Sequence, residues 1–288
     1  MNKLGASLIV SSASDGGYGT LRSFDESIGW TVFGPPEIRD PRGVRRRAED
    51  AYVVVNEPSA AVWLLSFDGA ALARIDLPPG LDPGGGAFAS DGTYYVGSRS
   101  QRSIERVDLT ARRYRGPAVA LTGISFPRGF AILDDGRFVV ASGTHPVLGR
   151  GQRGLFLYDR SGKIENDAFV DDPLLDPLDL ALCNGYLYVT SEFPFGSNHA
   201  AVSLRRYDVR NGAPAGTWSA EDTPAFRRVE KPRGIAATDY GILLICAQNC
   251  VLAVDSTTSG KAWLVAEDDH LAGQSLALSP DLARRKPI

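Results

Sequence analysis

The sequence has few of the residues that build disulfide frameworks and zinc sites. Among 288 residues there are 3 cysteines, 3 histidines and 1 methionine. A small, odd number of cysteines fits a reducing compartment better than a disulfide framework. A multi-histidine zinc site would need all three histidines. The sequence also lacks a glycine-rich phosphate loop, a His-Glu-x-x-His motif, a Cys-x-x-Cys pair and a Gly-x-Ser-x-Gly elbow, which removes the chemistries that these motifs support.

The chain also lacks a large excess of charge of either sign and any long hydrophobic run. Its formal net charge is −3, and this near balance gives no bulk attraction to nucleic acid or to an anionic membrane. The basic clusters at 45–47 and 284–286 are interpreted as solvated turn or tail. The apolar stretch Leu8–Val10 is far too short for a signal-peptide core or a membrane span. We therefore predict a cytoplasmic protein without a nucleic-acid or membrane partner.

What the sequence does contain is a repeat. Six times an apolar run closes on an aspartate at a turn, and the six aspartates are Asp25, Asp68, Asp108, Asp159, Asp208 and Asp255. Their spacing of roughly 40 to 50 residues is the period of a four-stranded β-propeller blade. Because turn-forming residues follow these aspartates, we interpret all six as structural.

Each aspartate-ending run is preceded in the sequence by another apolar run. In five copies of the repeat, that run is itself preceded by a short strand that a proline opens. The prolines are Pro41, Pro83, Pro127, Pro177 and Pro232. A sixth version of the opening strand, at 273–278, lacks following strands of its own. The segments at 7–12, 19–24 and 28–33 supply them. We therefore predict an all-β, six-bladed β-propeller of four-stranded blades, a single domain over residues 1–288 that is closed by the C-terminal strand joining the N-terminal blade.

One copy of the repeat carries a family resemblance. The segments Pro127–Ile132, Asp135–Ala141 and Gly154–Lys163 resemble the NHL-repeat consensus. This pattern is shared by a group of six-bladed propellers that includes NHL-repeat proteins, virginiamycin B lyase, peptidyl-hydroxyglycine lyase, gluconolactonases and strictosidine-synthase-like proteins. The resemblance implies the fold and a ligand site at one mouth of the channel. It does not define the reaction, because these relatives do unlike things.

In such a blade, the loops between the second and third strands and the loops between blades share one face. Three loops on this face are enlarged, at 143–153, 192–201 and 219–231. The three histidines, of which His270 precedes the last strand, are expected on the same face. Long loops on one side of a regular scaffold commonly carry binding residues, so we expect the functional site there.

The candidate proton carriers lie in these loops. Glu192 directly follows a strand end, while His145 and His199 lie in the first two enlarged loops. We predict these three as catalytic residues, with Phe193 and Phe195 binding substrate as the wall of a pocket. The alternatives are exposed or structural histidines, a solvated Glu192 at the rim, and phenylalanines that cover the blade edge.

Three arginines lie at the start of inner strands rather than in the enlarged loops. Arg42, Arg128 and Arg233 occupy Pro-Arg-Gly triplets that open the inner strands of alternate blades. If their side chains turn inward, three guanidinium groups surround one mouth and bind a carboxylate or phosphate of the substrate. The alternative is that each points between blades and pairs with a neighbouring acid or backbone carbonyl.

The resemblance to gluconolactonases implies a divalent cation, Ca²⁺ or Mg²⁺, held by Glu, Asn and Asp side chains at the mouth. The positions that this resemblance implies as metal ligands are Glu57, Asp179 and Asn249, with Asn56 and Glu192 as alternatives. Only the positions of these residues at strand ends match the family, since its sequence motifs are not found around them. The sequence indicates no organic cofactor.

Two functions remain open. The first is a small-molecule lyase or hydrolase that acts on an anionic metabolite at the channel mouth, with a divalent cation stabilising a developing oxyanion or enolate. The alternative is a non-catalytic propeller that binds a protein, a peptide or a small ligand on the elaborated face. That alternative predicts an exposed apolar patch made by Phe193, Pro194, Phe195 and Phe226.

Overall fold

The computed structural model describes residues 8–14, 17–47, 50–124, 126–144, 151–196, 201–257 and 261–279. Within these ranges, 24 strands form six four-stranded antiparallel sheets. The one helix of the described residues is the 3₁₀ turn η1 (Pro224–Arg228), and none of the described helical structure has the length and apolar character needed to cross a membrane. The all-β, six-bladed propeller is therefore confirmed.

The strands are numbered along the chain, and each blade is given from its inner to its outer strand. Blade 1 is β24 (Gly273–Leu278), β1 (Leu8–Ser12), β2 (Leu21–Asp25) and β3 (Gly29–Phe33). Blade 2 is β4 (Pro41–Arg47), β5 (Ala51–Asn56), β6 (Ala61–Leu65) and β7 (Ala71–Asp76). Blade 3 is β8 (Pro83–Phe88), β9 (Tyr94–Ser98), β10 (Ser103–Asp108) and β11 (Arg113–Ala120).

The second half of the ring repeats the plan. Blade 4 is β12 (Pro127–Ile132), β13 (Phe138–Ser142), β14 (Gly154–Tyr158) and β15 (Ile164–Val170). Blade 5 is β16 (Pro177–Cys183), β17 (Tyr186–Phe193), β18 (Ala201–Asp208) and β19 (Pro214–Ser219). Blade 6 is β20 (Gly234–Ala237), β21 (Ile242–Cys246), β22 (Cys250–Asp255) and β23 (Ala262–Glu267).

The predicted closure of the ring is confirmed. β24 pairs antiparallel with β1, with Leu8 opposite Leu278 and Val10 opposite Leu276. This pairing makes β24 the inner strand of a blade whose other strands come from the opposite end of the sequence. Because β24 fills the inner position of blade 1, β1 has a partner on both edges and the ring is closed.

The core lies between blades. The described residues contain six hydrophobic clusters, one at each interface between neighbouring blades. A sheet that is covered on both faces needs apolar residues at every position, and the β-branched run of β5 is buried throughout for this reason. The apolar runs in the sequence are therefore second and third strands packed between two neighbours.

The six repeat aspartates are turn formers, as predicted. Each accepts a hydrogen bond from a backbone N–H two or three residues later, at Ser27, Ala70, Ala111, Ser161, Arg210 and Thr257. These hydrogen bonds favour the ionised carboxylate and contribute to lowering the pKa of Asp159 below its ordinary value, where the hydroxyl of Ser161 is the largest cause. The repeat signature is thus explained by local turn chemistry.

The inner strands carry irregularities at their first residues. The register shifts just after Pro41, Pro83, Pro127 and Pro177, as at β-bulges. Bulges of this kind change the direction of nearby side chains and are common beside functional sites. The inner strands also approach closely, because a Cβ on Gly234 would lie 2.6 Å from the Cα of Ser275. The residue inside each bulge, which directly follows the proline, lines a narrow space at the axis: Arg42, Gly84, Arg128 or Leu178.

Candidate functional site at the channel mouth

A ring of six equivalent residues surrounds one end of the channel. Each is the second residue of the Pro-x-x segment that opens an inner strand, or its equivalent in blade 1, and all six line a cavity of about 100 Å³: Arg42, Gly84, Arg128, Leu178, Arg233 and Gln274. Arg99 follows the end of β9 and lines the cavity beside Gly84. The structure thus places the three arginines of the Pro-Arg-Gly triplets around one opening and adds a fourth.

The floor of this cavity is a charged pair that crosses the channel. Arg45 on β4 and Asp179 on β16 belong to blades 2 and 5, which lie opposite each other in the ring. Arg45 donates from Nη2 to Asp179 Oδ2 over 3.1 Å and from Nη1 to Ser275 Oγ over 2.6 Å. The backbone N–H of Ile235 also donates to Asp179 Oδ2. Burial raises the pKa of Asp179 above its ordinary value, against the opposing effect of Arg45.

The arginines on one side of the mouth are fully paired. Arg99 Nη2 donates to Glu57 Oε1 over 2.6 Å and to Asp82 Oδ1 over 2.7 Å, and Arg42 Nε donates to the second oxygen of Glu57. Burial, followed by the neighbouring Asp82, raises the pKa of Glu57. Although burial opposes it, the pKa of Asp82 is lowered by hydrogen bonds from Arg99 and Glu57. We call these four residues the paired side.

On the opposite side of the mouth, Arg128 is held by aromatic rings. Its Cζ lies 4.4 Å from the ring centre of Phe126 and 4.3 Å from that of Phe195. Nη2 donates to the carbonyl oxygen of Thr144 over 2.9 Å, while Nε is buried without a hydrogen-bond partner in the described part of the chain. No described carboxylate forms an ion pair with Arg128, and burial together with nearby Arg233 lowers its pKa to about 10. The side chain therefore stays cationic near neutral pH.

Glu192 lies beside these arginines at the end of β17. Its residue is 3% exposed, and its Oε1 accepts a hydrogen bond from the backbone N–H of Gly196 over 3.3 Å. Its Oε2 is 3.6 Å from Arg233 Nη1, and within the described residues neither of these two buried atoms has a hydrogen-bond partner. Burial lowers the pKa of Arg233 and Glu192 opposes this shift. We call Arg128, Arg233, Glu192 and Phe195 the open side.

The phenylalanines of the elaborated loops contact arginines or the core. The ring of Phe195 contacts both Arg128 and Arg233, and that of Phe193 lies 4.7 Å from Cζ of Arg153. Phe226, in η1, is 2% exposed. The large hydrophobic residues that are exposed in the described ranges are Ile28, Val32, Leu72 and Leu174. The exposed patch that the docking alternative predicted is therefore not formed by the described rings.

The predicted histidines contribute nothing to the described geometry. His145 and His199 lie outside the described residues, so their catalytic role stays a prediction. His270 is exposed, its backbone N–H donates to Asp268 Oδ1, and its ring lies 6.2 Å from that of Tyr18. Its contacts are those of a surface turn.

The three predicted metal ligands bond to different protein groups. Glu57 bonds to two arginines and Asp179 to Arg45 and Ile235, while the Asn249 amide bonds to backbone atoms of Arg228 and Glu230. Ca²⁺ and Mg²⁺ need several convergent oxygen atoms, and the described residues contain no group of three His, Cys, Asp or Glu side chains suited to a metal. The donor set does not fit a divalent cation, because the arginines would repel one.

The floor was missed at the level of sequence, although a signal for it exists. Aligning the inner strands puts Arg45 where the other five blades have Ala87, Ala131, Ala181, Ala236 and Ala277. The same alignment puts Asp179 and Ser275 where the other four blades have glycine. These three departures from the repeat are the residues that bond to one another across the channel. The interpretation of the basic cluster at 45–47 as a solvated turn is wrong, because these residues lie in strand β4 and Arg45 bonds to Asp179 and Ser275.

The fold and this site define a six-bladed β-propeller with an arginine-lined mouth. No protein-family model and no curated protein matches the chain. A chain in the crystal structure of a nidogen/laminin complex has a TM-score of 0.71 at 12% identity, covering 96% of this chain and 99% of that one.

Two further solved structures come from enzymes that the sequence resemblance named. A virginiamycin B lyase from Staphylococcus aureus has a TM-score of 0.55 at 13% identity, covering 80% of this chain and 71% of that one. A gluconolactonase from Xanthomonas campestris has a TM-score of 0.57 at 17% identity, covering 78% and 75%. The resemblance to this group of propellers is confirmed for the fold, and at these identities the likeness shows the fold alone.

Proposed function

We propose that the protein is a lyase or hydrolase that acts on a small anionic metabolite at the arginine-lined mouth. One observation carries the proposal. Arg128, a partly buried arginine without an ion-pair partner among the described residues, lines the cavity together with Arg233, and Arg233 lies 3.6 Å from the buried Glu192, whose Oε2 has no hydrogen-bond partner in the described part of the chain. A cation that can hold an anion, next to a group that can take a proton, is the minimum equipment for acid–base chemistry on an anionic substrate.

In this proposal Arg128 holds and orients the substrate. The rings of Phe126 and Phe195 fix the plane of its guanidinium group. A fixed guanidinium loses little side-chain entropy when it binds an anion, and two parallel N–H donors suit a carboxylate. Arg233 adds positive potential beside it, which favours any negative charge that develops on the substrate.

Glu192 is proposed to take up the proton. In a lyase reaction it removes a proton from the carbon next to the substrate carboxylate, and the departing group leaves from the following carbon. In a hydrolase reaction it removes a proton from the attacking water. Both reactions build negative charge on an oxygen atom, and the arginines of the open side stabilise that charge. His145 and His199 remain candidates for carrying a second proton, and no step is assigned to a metal ion.

The experiment compares three variants in the purified full-length protein. The assay incubates each with a panel of short hydroxy acids, lactones and carboxylate-bearing esters, and products are measured by nuclear magnetic resonance. We expect Glu192→Gln to lose about 10²- to 10⁴-fold in kcat, the usual range for a general acid or base. Arg128→Met should mainly raise KM, because it removes a group that binds the substrate before and during the reaction.

Arg206→Met is the matched control. Arg206 stacks on Tyr186 and Trp218 and bonds to the backbone of Ala215, away from the cavity lining. It should leave kcat and KM unchanged. Turnover of any panel compound by Glu192→Gln at the rate of the unaltered protein would remove Glu192 from the reaction and contradict the proposal.

Non-catalytic binding of a small anion is the second candidate, since the same arginines support it. Measurements on the unaltered protein distinguish the two candidate functions. A receptor binds members of the panel and converts none of them. Under this alternative Glu192→Gln should bind the ligand at least as well, because a neighbouring negative charge has been removed.

A further inference from the structure

Asp176 is a buried carboxylate that the proposed reaction does not use. It directly precedes β16, and its residue is 0% exposed. Its Oδ1 accepts a hydrogen bond from the backbone N–H of Thr144 over 2.9 Å, and its Oδ2 accepts one from the Thr144 hydroxyl. A buried carboxylate is costly unless hydrogen bonds satisfy it, so both of these bonds are strongly favoured. Asp176 therefore holds Thr144 at two points.

The residue held in this way is the one that bonds to Arg128. The Thr144 carbonyl oxygen accepts a hydrogen bond from Arg128 Nη2 over 2.9 Å. Gly143 leaves room for this approach, because a Cβ there would lie 2.9 Å from Arg128 Nε and 3.0 Å from Asp176 Oδ1. Burial and then Arg233 lower the pKa of Arg128, whereas Asp176 opposes this shift. Asp176 thus supports both the position and the charge of this guanidinium group.

The main chain of Asp176 bonds to the strand that carries Glu192. The Asp176 N–H donates to Ser191 Oγ over 3.0 Å, and the Asp176 carbonyl oxygen accepts from the Glu192 N–H over 3.3 Å. One residue therefore connects the end of β17 to the segment that holds Arg128. Two groups that act on one substrate need a fixed separation, because a small misplacement of either group slows the reaction.

We propose that Asp176 is a positioning residue for the proposed site. Its carboxylate fixes Arg128 through Thr144, and its main chain fixes the end of β17. The inference rests on the proposed function for the roles of Arg128 and Glu192. Its main test follows the Arg128 side chain and needs no substrate, so failure of the inference is distinguishable from failure of the proposed function.

The main test measures hydrogen exchange of the Arg128 Nε–H group by nuclear magnetic resonance of the ¹⁵N-labelled full-length protein. The Arg128 signal is the one that disappears in Arg128→Met. Because Nε is buried and has no hydrogen-bond partner in the described part of the chain, its exchange with water requires the side chain to move. We expect Asp176→Leu, which removes both acceptors of Thr144, to accelerate this exchange at least about tenfold. Asp176→Asn keeps one acceptor and should exchange within about threefold of the unaltered protein.

Asp172→Asn is the matched control. It removes a charge from the same segment, where the Asp172 carboxylate bonds to Arg205 and Tyr207 instead of Thr144. Arg128 exchange should be unchanged in this variant. Equal Arg128 exchange in Asp176→Leu and the unaltered protein, or an equally large acceleration in Asp172→Asn, would overturn the inference.

If circular dichroism shows that Asp176→Leu does not fold, Thr144→Val decides. It removes one of the two hydrogen bonds at a partly exposed position and should accelerate Arg128 exchange about threefold. The Nε–H of Arg206, which donates to the Ala215 carbonyl oxygen, is the internal reference and should exchange as before in every variant. Unchanged Arg128 exchange in folded Thr144→Val, or parallel acceleration at Arg206, would contradict a positioning role.

Kinetics supply a second readout for any panel compound that the unaltered protein converts. Asp176→Leu should mainly raise KM, as Arg128→Met does, because it displaces the group that binds the substrate. Asp176→Asn should restore most of the lost affinity. A fall in kcat at unchanged KM would contradict the link to Arg128 through Thr144. If no panel compound is converted, the exchange measurement alone decides.

Discussion

The two sides of the channel mouth contain the same type of residue in opposite states. On the paired side, Arg99 bonds to two carboxylates and Arg42 to one of them. On the open side, Arg128 contacts aromatic rings and a backbone carbonyl, and no carboxylate of the described residues lies within ion-pair distance of it. A saturated arginine holds blades together, whereas an unsaturated one keeps its capacity for a ligand. An arginine at a propeller mouth is therefore interpretable only together with its partners.

The largest expected effect comes from breaking the paired side. Arg99→Met leaves Glu57 and Asp82 facing each other without the cation between them. We expect the free energy of unfolding to fall by about 2–3 kcal/mol, somewhat less than for a fully buried pair because 27% of the Arg99 side chain is exposed. Urea unfolding followed by circular dichroism measures this change. A loss below about 0.5 kcal/mol would mean that the pairing is not structural.

The same substitution, arginine to methionine, should raise the free energy of unfolding on the open side instead of lowering it. Arg128→Met removes a partly buried cation that has no ion-pair partner among the described residues, and it keeps contact with Phe126 and Phe195 through the thioether. The lost hydrogen bond to Thr144 offsets part of the gain. We expect the free energy of unfolding to rise by about 1 kcal/mol, measured by the same urea titration. A loss as large as that of Arg99→Met would make the two sides equivalent and end the comparison.

A smaller effect should appear in the pH dependence of the paired side. The pKa of Glu57 is raised from 4.5 by burial and by Asp82. Above the unfolded-state pKa the folded protein retains a proton that the unfolded chain has lost. The stabilisation is therefore complete below this value and is lost as the pH rises through the folded-state pKa. The lowered pKa of Asp82 acts below 3.8, outside this window.

Glu57→Gln tests this expectation, because glutamine does not titrate. Urea unfolding at several values from about pH 4 to about pH 7 should show the unaltered protein losing stability relative to Glu57→Gln as the pH rises. Parallel curves for the two proteins would show that Glu57 ionises in the folded state as it does in the unfolded chain.

The smallest effect is expected at an ion pair outside the mouth. Arg210 and Asp208 form a salt bridge in which 82% of the Arg210 side chain is exposed. Solvent screens such a pair and its side chains lose entropy when they form it, so Arg210→Met should leave the urea midpoint unchanged. A clear shift would show that arginine pairing stabilises this protein wherever it occurs, and the contrast between the two sides would lose its meaning.

The sequence was sufficient for the fold because the repeat is local. Two apolar runs and a turn-forming aspartate recur in each blade, and a proline opens the inner strand of five of the six, so each signature reports on its own strand and turn. The closure by 273–278 also followed from the repeat. This C-terminal segment is an inner strand without the three strands that should follow it, and the N-terminal segments are three such strands without an inner strand. The Pro-Arg-Gly triplets put the backbone of Arg42, Arg128 and Arg233 at equivalent positions for the same reason, whereas the direction of their side chains was left open.

The partners of those arginines could not be derived in the same way. Arg99 follows a strand end outside any triplet, and its bond to Glu57 joins residues 42 positions apart. The floor joins Arg45 to Asp179, 134 positions apart, through side chains that reach across the axis. Such pairings depend on rotamers and on the width of the channel, which the repeat does not encode. Glu57 and Asn249 fit a metal-ligand position class, yet neighbouring groups from elsewhere in the chain bond to them.

The strand that closes the ring also contributes Gln274 and Ser275 to the cavity, and Ser275 accepts a hydrogen bond from Arg45. The pocket is consequently incomplete until β24 has docked onto β1. A ligand in the pocket holds that last strand in place, and by mass action its binding energy opposes opening of the ring at its seam. A bound ligand would thus hinder separation of β24 from β1, so the ligand-bound protein should resist proteolysis near these two strands better than the ligand-free protein.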